Sequence, residues 1–263
     1  MIPPDFASTH PLGADTLHIW IARDDEIVDP VLLDQYRDWL TEQESARMAR
    51  FMFHKNRHQY LITRALLRAT LSLYAPSLPP ARWTFASNEW GKPSIIAPPT
   101  PLAFNLSHTD GMVVLAVAAG GELGIDVEQI DRTVGFDIAD RFFSPLEVAD
   151  LFALPDSARQ QGFFDLWTLK EAYIKACGMG LSIPLDSFSF RFPRPGHIDF
   201  ARDARRAEDT ENWHFRQGGI DRHALSLCCT PPDSELEVRT FQTVPGDSIT
   251  PLAMPFYRRS ANR

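Results

Sequence analysis

The stretch Gly124-Ile125-Asp126-Val127-Glu128-Gln129 puts two acids one residue apart, four residues after the apolar run MVVLAVAA that spans 112–119. In an extended strand, residues i and i+2 point to the same face. Asp126 and Glu128 therefore project together, while Ile125 and Val127 turn toward a core. Two carboxylates side by side repel. A hard cation such as Mg²⁺, held by oxygen ligands, would relieve that repulsion. A solvated strand edge carrying two ordinary acids is the other reading, and the pair alone does not separate the two.

A second group lies in Trp167-Thr168-Leu169-Lys170-Glu171-Ala172-Tyr173-Ile174-Lys175. Glu171 and Lys175 are four apart, on one helix face. Alone they read as a surface ion pair worth ~0.3–0.5 kcal/mol. Lys170 reads as a solvated flank, with Phe163, Leu166, Trp167 and Ile174 toward the core. A third group is Phe104-Asn105-Leu106-Ser107-His108-Thr109-Asp110-Gly111, an apolar strand ending in small polar groups. His108 there binds an anion, acts as a base or caps the loop. Lys92 sits in a tight Gly91-Lys92-Pro93 turn. Arg47, Arg50, Lys55, Arg57, His58, Arg64 and Arg68 form a basic row, which suits a phosphate ligand or is a solvated helix face.

These residues need elements to hold them. Leu17 to Ala22 alternates as a strand. Thr41 and Glu44 spell a capping box, and Asn56 to Gln59 a weaker one opening a helix to about Leu73. After the Pro-rich connector APSLPPA, WTFASNEWGKPSI reads as a hairpin turning at residues 90–93. Ser144-Pro145-Leu146-Glu147 is a helix start. The helix with Glu171 is expected from about Gln161 to Ala176, stopping at Gly178. Strands are expected near 186–192, 197–200, 212–216, 223–230 and 235–241. Residues 1–15 read as irregular and the tail PLAMPFYRRSANR as loosely held. The expected organisation is α+β in two halves, 1–121 and 122–263, each running from helices to strands.

The chain has 263 residues, 44% hydrophobic, enough for one large or two small cores. Its net charge of −8 argues against a nucleic-acid footprint or attraction to an anionic membrane. Cys177, Cys228 and Cys229 suggest no disulfide framework. The N-terminal residues lack a signal-peptide pattern, and no apolar run reaches membrane-spanning length. A cytoplasmic protein is expected.

Taken together and in order, GKP, FNLSH, GIDVE, RFFS-P-E and W-LKEAYIKACGMGL-PL resemble the 4′-phosphopantetheinyl transferases of the larger, surfactin-synthetase-activator type. The resemblance spans roughly residues 40 to 192. It implies two similar α/β halves packed pseudo-symmetrically, with the active site between them, and a monomer. It implies Mg²⁺-dependent transfer of the 4′-phosphopantetheine arm of coenzyme A to a serine of an apo carrier protein, releasing adenosine 3′,5′-bisphosphate. The carriers would be acyl, peptidyl or polyketide carriers of fatty-acid, nonribosomal-peptide or polyketide synthesis; Mn²⁺ is a second possible metal. By resemblance Asp126, Glu128 and Glu171 are the metal acids and Glu171 is also the general base. Lys175 contacts the coenzyme A phosphates and protonates the leaving oxygen. Ser107 and His108 meet the phosphates, and Lys92 lies near the nucleotide. The helix bearing Tyr60-Leu61 has Gln59 where family members often carry arginine. Arg50 and Arg64 fit the basic spacing better there than Arg57 or His58. Met179, Leu181 and Ile183, in GMGLSIPL, either touch the carrier or pack the loop. Two rival readings are another metal-dependent phosphodiester enzyme and a non-catalytic module binding coenzyme A or a carrier.

Overall fold

The computed structural model describes residues 6–209, 211–230 and 235–260. A short helix, α1 (Phe6–Thr9), precedes β1 (Thr16–Ala22), every residue of which is buried. Asp29 opens α2 (Pro30–Asp38) by accepting from Val31 N. α3 (Glu42–Ala49) starts on the expected capping box between Thr41 and Glu44. α4 (His54–Tyr74) begins two residues before the expected Asn56, and Phe53 at its N-cap makes no side-chain bond. Burial replaces the missing cap: Leu61, Leu66, Leu67 and Leu71 are sealed in the core. The hairpin follows as β2 (Thr84–Ser87) and β3 (Pro93–Ala97), then β4 (Ala103–Thr109), β5 (Met112–Ala118) and β6 (Leu123–Gln129).

Next come α5 (Asp137–Phe142), α6 (Pro145–Phe152) and α7 (Asp156–Cys177). α6 has both capping-box bonds between Ser144 and Glu147. α7 starts five residues earlier than Gln161, and ends at Gly178, whose φ of 71° is the left-handed cap that glycine adopts without strain. The rest is strand: β7 (Phe188–Arg191), β8 (His197–Arg202), β9 (His214–Ile220), β10 (His223–Cys229), β11 (Glu237–Val244), β12 (Ser248–Pro251) and β13 (Phe256–Ser260). The chain is thus α+β, as expected, with two sheet-rich parts.

By contact density it divides into two units. One is drawn from Met1–Ala86, Pro93–Gly120 and Ser234–Ala253, the other from Ser87–Lys92, Gly121–Asp233 and Met254–Arg263. In the first, the strand order is β12-β11-β1-β5-β4. β1 pairs parallel to β11 and antiparallel to β5, setting Trp20 opposite both Phe241 and Leu115. Those residues form one core with Tyr36, Leu66 and Leu67 of the helices.

In the second unit the order is β6-β10-β9-β13-β8-β7, and α7 packs on β6 and β10. Phe163, Phe164, Leu169 and Tyr173 of α7 share its core with Phe188, Phe190 and Phe215. The tail read as loose supplies β13, which lies between β9 and β8 in that order. Arg258 on β13 donates to Asp165 Oδ2 of α7 at 2.6 Å and to Gln217 Oε1 at 2.6 Å. That bond explains the correction: a strand with its own charged anchor in the core is not a fraying end. Residues 261–263 of the tail lie outside the described residues.

Candidate active site in the second unit

β6 has the alternation its sequence demands. Ile125 and Val127 are fully buried. Gly124, Asp126 and Glu128 share the opposite face. Gly124 explains how that face meets α7: a Cβ there would fall inside van der Waals contact of the Ala172 carbonyl oxygen and the Ala176 amide nitrogen. Only glycine allows so close a crossing. The contact is at Ala172 and Ala176, and it sets Glu171 and Lys175 of the helix within electrostatic reach of Asp126 and Glu128 of the strand.

Lys175 Nζ sits 2.6 Å from Asp126 Oδ1 and donates to the Ile125 carbonyl at 3.3 Å. The i,i+4 spacing suggested Glu171 as its partner; the ion pair formed is with the strand. Asp126 is 4% exposed. Burial, and next the charge of Asp126, push the Glu171 carboxyl up to about 7. Glu128 is raised by the same two causes, against Arg132, Lys175 and a hydrogen bond from Trp167. Arg132 Nη2 lies 3.4 Å from Glu128 Oε2. The Glu171 and Glu128 carboxyls are thus both raised, each by burial and by the charge of Asp126, and the nearby Lys175 does not offset this.

That donor set is all hard oxygen and short of positive charge, which fits a divalent cation of the Mg²⁺ type. Among the described residues, however, no three His, Cys, Asp or Glu side chains are gathered at metal-holding spacing. The Lys175 ammonium takes the place on Asp126 Oδ1.

Lys92 is in the same unit. Its Nζ donates to Glu122 Oε2 at 2.6 Å and to the Ala176 carbonyl at 2.7 Å, while Asn88 Nδ2 donates to the Gly178 carbonyl at 2.7 Å. The hairpin turn therefore caps the C-terminus of α7, where a cation is favoured by the helix dipole. The sequence showed the lysine but not this partner.

The remaining expected residues belong to the first unit. Ser107 is buried and His108 exposed on β4. Arg50 is exposed at the end of α3, in an open depression with Gln43, Ala46, Arg47 and Phe51. Arg64 is held by the Glu44 carboxylate and lies over the Phe85 ring at 4.7 Å. Arg68 is fully buried, bonded to Glu44 Oε2 at 2.7 Å and to the Pro80 and Trp83 carbonyls. The basic row is therefore not one patch: Glu44 draws two of its arginines inward. Gln59 donates to the Thr109 carbonyl at 2.7 Å, just beyond His108.

Two further readings are corrected. Lys170 is not a solvated flank; it has no exposure and pairs with Glu147 Oε2 at 2.7 Å. Of the loop residues, Leu181 is 70% exposed and Met179 37%, but Ile183 is buried and cannot touch a partner.

The description "4′-phosphopantetheinyl transferase superfamily" matches residues 122–228, and "4′-phosphopantetheinyl transferase, N-terminal" matches 32–120. A 4′-phosphopantetheinyl transferase of Bacillus subtilis is 35% identical over 206 residues, 77% of this chain and 88% of that one. The chain belongs to the 4′-phosphopantetheinyl transferase family. Within it, the transferase Sfp of Bacillus subtilis strain 168 is 34% identical over 166 residues, 63% of this chain and 72% of its own. The family member HetI of Nostoc sp. PCC 7120 is 34% identical over 174 residues, 65% and 72%. A solved structure, Thermotoga maritima holo-[acyl-carrier-protein] synthase, overlaps 42% of this chain and 62% of its own at 22% identity and a TM-score of 0.35.

Proposed function

We propose that this protein transfers the 4′-phosphopantetheine arm of coenzyme A to a serine of an apo acyl, peptidyl or polyketide carrier protein. The observation that carries the reading is the convergence of Asp126, Glu128, Glu171 and Lys175 where β6 crosses α7 at Gly124. In the reaction the serine oxygen forms a bond to the β-phosphorus of coenzyme A, the pyrophosphate bond breaks, and adenosine 3′,5′-bisphosphate leaves. Phosphoryl transfer of this kind is mostly positioning and charge stabilisation.

Glu171 takes the serine proton. A carboxyl pushed up to about 7 is matched to that task near neutral pH. Lys175 neutralises phosphate charge and protonates the leaving oxygen; its ammonium is already held in place by Asp126. Asp126, Glu128 and Glu171 are the residues that would hold Mg²⁺. When bound, that ion supplies charge neutralisation of the pyrophosphate oxygens. Ser107 and His108 are proposed contacts for the coenzyme A phosphates. Arg50 is the better of the two helix arginines, because Arg64 is engaged by Glu44. Lys92 acts on the α7 terminus first, and any nucleotide contact is secondary to that.

The test is intact mass of apo carrier proteins incubated with this protein, coenzyme A and Mg²⁺, with and without EDTA. The expected result is a metal-dependent gain of about 340 Da, the mass of the phosphopantetheine group. No gain on any carrier, with coenzyme A still bound, would point to a binding module instead. Among the described residues no helix is long and apolar enough to cross a membrane.

A further inference from the structure

Lys170 and Glu147 form an ion pair in which neither side chain has any exposure. The ammonium is fully used. Beside Glu147 Oε2 at 2.7 Å it donates to the Leu185 carbonyl at 2.7 Å and the Phe188 carbonyl at 2.9 Å. The Phe188 ring centre lies 4.4 Å away. The carboxylate is equally filled, accepting from Ser144 N and Phe190 N, each at 2.8 Å. One pair thus joins the middle of α7, the first turn of α6, the 3₁₀ turn Leu185–Ser187 and β7, all in the second unit.

Stability does not account for it. Well-packed apolar residues of similar volume fill such a place as well as a buried ion pair or better. What the charges add is direction. An ammonium with three fixed acceptors admits one rotational setting of its helix. Glu171 is the next residue, 100° around α7. A helix rotation of about 20° would move a carboxyl at the helix rim by about 2 Å. A misplacement of about 1 Å already costs on the order of 10²-fold in rate.

We propose that the buried Lys170–Glu147 pair fixes the rotation of α7 and thereby places the Glu171 carboxylate. Lys170 and Glu147 are positioning residues: they act through Glu171 and touch no substrate. The inference rests on the reading of Glu171 as the base in the transfer reaction.

The test compares the full-length wild type with K170M/E147Q and with E147Q alone. Calorimetry with coenzyme A counts binding-competent sites, and transfer to an apo acyl carrier protein gives kcat and KM. If the pair positions Glu171, the double variant binds coenzyme A at near-unit stoichiometry with KM within about twofold, while kcat per binding site falls about tenfold or more. If the pair only supports the fold, stoichiometry and rate fall together, kcat per site stays at the wild-type value, and the proposal is overturned. Should the double variant bind no coenzyme A, E147Q decides by the same criterion. It keeps Lys170 on its two carbonyls, so the expected fall is several-fold, and an unchanged kcat per site overturns the proposal. A wild type that transfers nothing would instead remove the functional reading itself.

Discussion

At the scale of single residues, groups proposed to react differ from groups that only sit in charged surroundings. Glu171 is half-buried within electrostatic reach of Asp126 and Glu128, and its removal should be felt in the reaction more than in the fold. Glu171→Gln is expected to lower the transfer rate by about 10²–10⁴-fold, the usual worth of a positioned general base, with the thermal transition little changed. Wild-type turnover by this variant would assign the base elsewhere. His18 makes a different prediction, about stability. Its Nδ1 lies 2.7 Å from the Tyr74 hydroxyl, and that hydroxyl also accepts from Trp20 Nε1 at 3.0 Å. Burial, and then the charge of Arg239, pull the imidazole down from 6.5 to about 4. Between those values the unfolded chain binds the proton and the folded chain does not. The contribution of His18 is therefore complete above pH 6.5 and lost as pH falls toward 4, by about 3 kcal/mol. Urea unfolding at pH 7 and pH 4.5 should show a smaller acid loss in His18→Phe than in the wild type. Parallel losses in the two proteins would contradict it.

At the scale of elements, the crossing of β6 over α7 sets the proposed site. Gly124→Ala must push the helix backbone away, since the obstacles are a carbonyl and an amide, not flexible side-chain ends. A cost of about 1–3 kcal/mol is expected, read from chemical denaturation, together with a loss of transfer larger than that of stability. Much of this level could be read from the sequence. Thr41 with Glu44 and Ser144 with Glu147 announced their helices, because a capping box is a local pattern with a local cause. Gly178 announced the end of α7 for the same reason. The alternation in GIDVEQ gave the shared face of Asp126 and Glu128. Lys170 was misread because a lysine on a helix is solvated unless something distant satisfies it, and Glu147, Leu185 and Phe188 lie 15 to 23 residues away in sequence. Arg64 and Arg68 were misread in the same way: Glu44 is on another helix. The partner of Lys175 was missed because i,i+4 spacing speaks only for its own helix.

At the scale of the whole molecule, long-range pairing decides what sequence order does not. β11 joins the first unit through its parallel register with β1, although over 200 residues separate them. β13 completes the second unit from within ten residues of the chain's last position. Strand pairing at such separations has no local signature, so the tail looked loose. Among the described residues, Arg258→Met leaves the carboxylate of Asp165, which is 2% exposed, with its Gln161 and Tyr257 bonds. Discounted for the part of Arg258 that reaches solvent, the cost is about 2 kcal/mol, measurable as an earlier urea midpoint. An unchanged midpoint would show that the pair does not anchor β13. The central claim is that the acids and lysine at the β6–α7 crossing carry out a metal-dependent transfer from coenzyme A. The most direct measurement is the intact mass of one apo acyl carrier protein after a single turnover with the wild type and with Asp126→Asn, each over a Mg²⁺ titration. The account predicts a gain of about 340 Da with the wild type that rises with Mg²⁺, and for the variant a much slower gain needing more of the ion. Equal rates for the two proteins, or a gain indifferent to Mg²⁺ and EDTA, would contradict it.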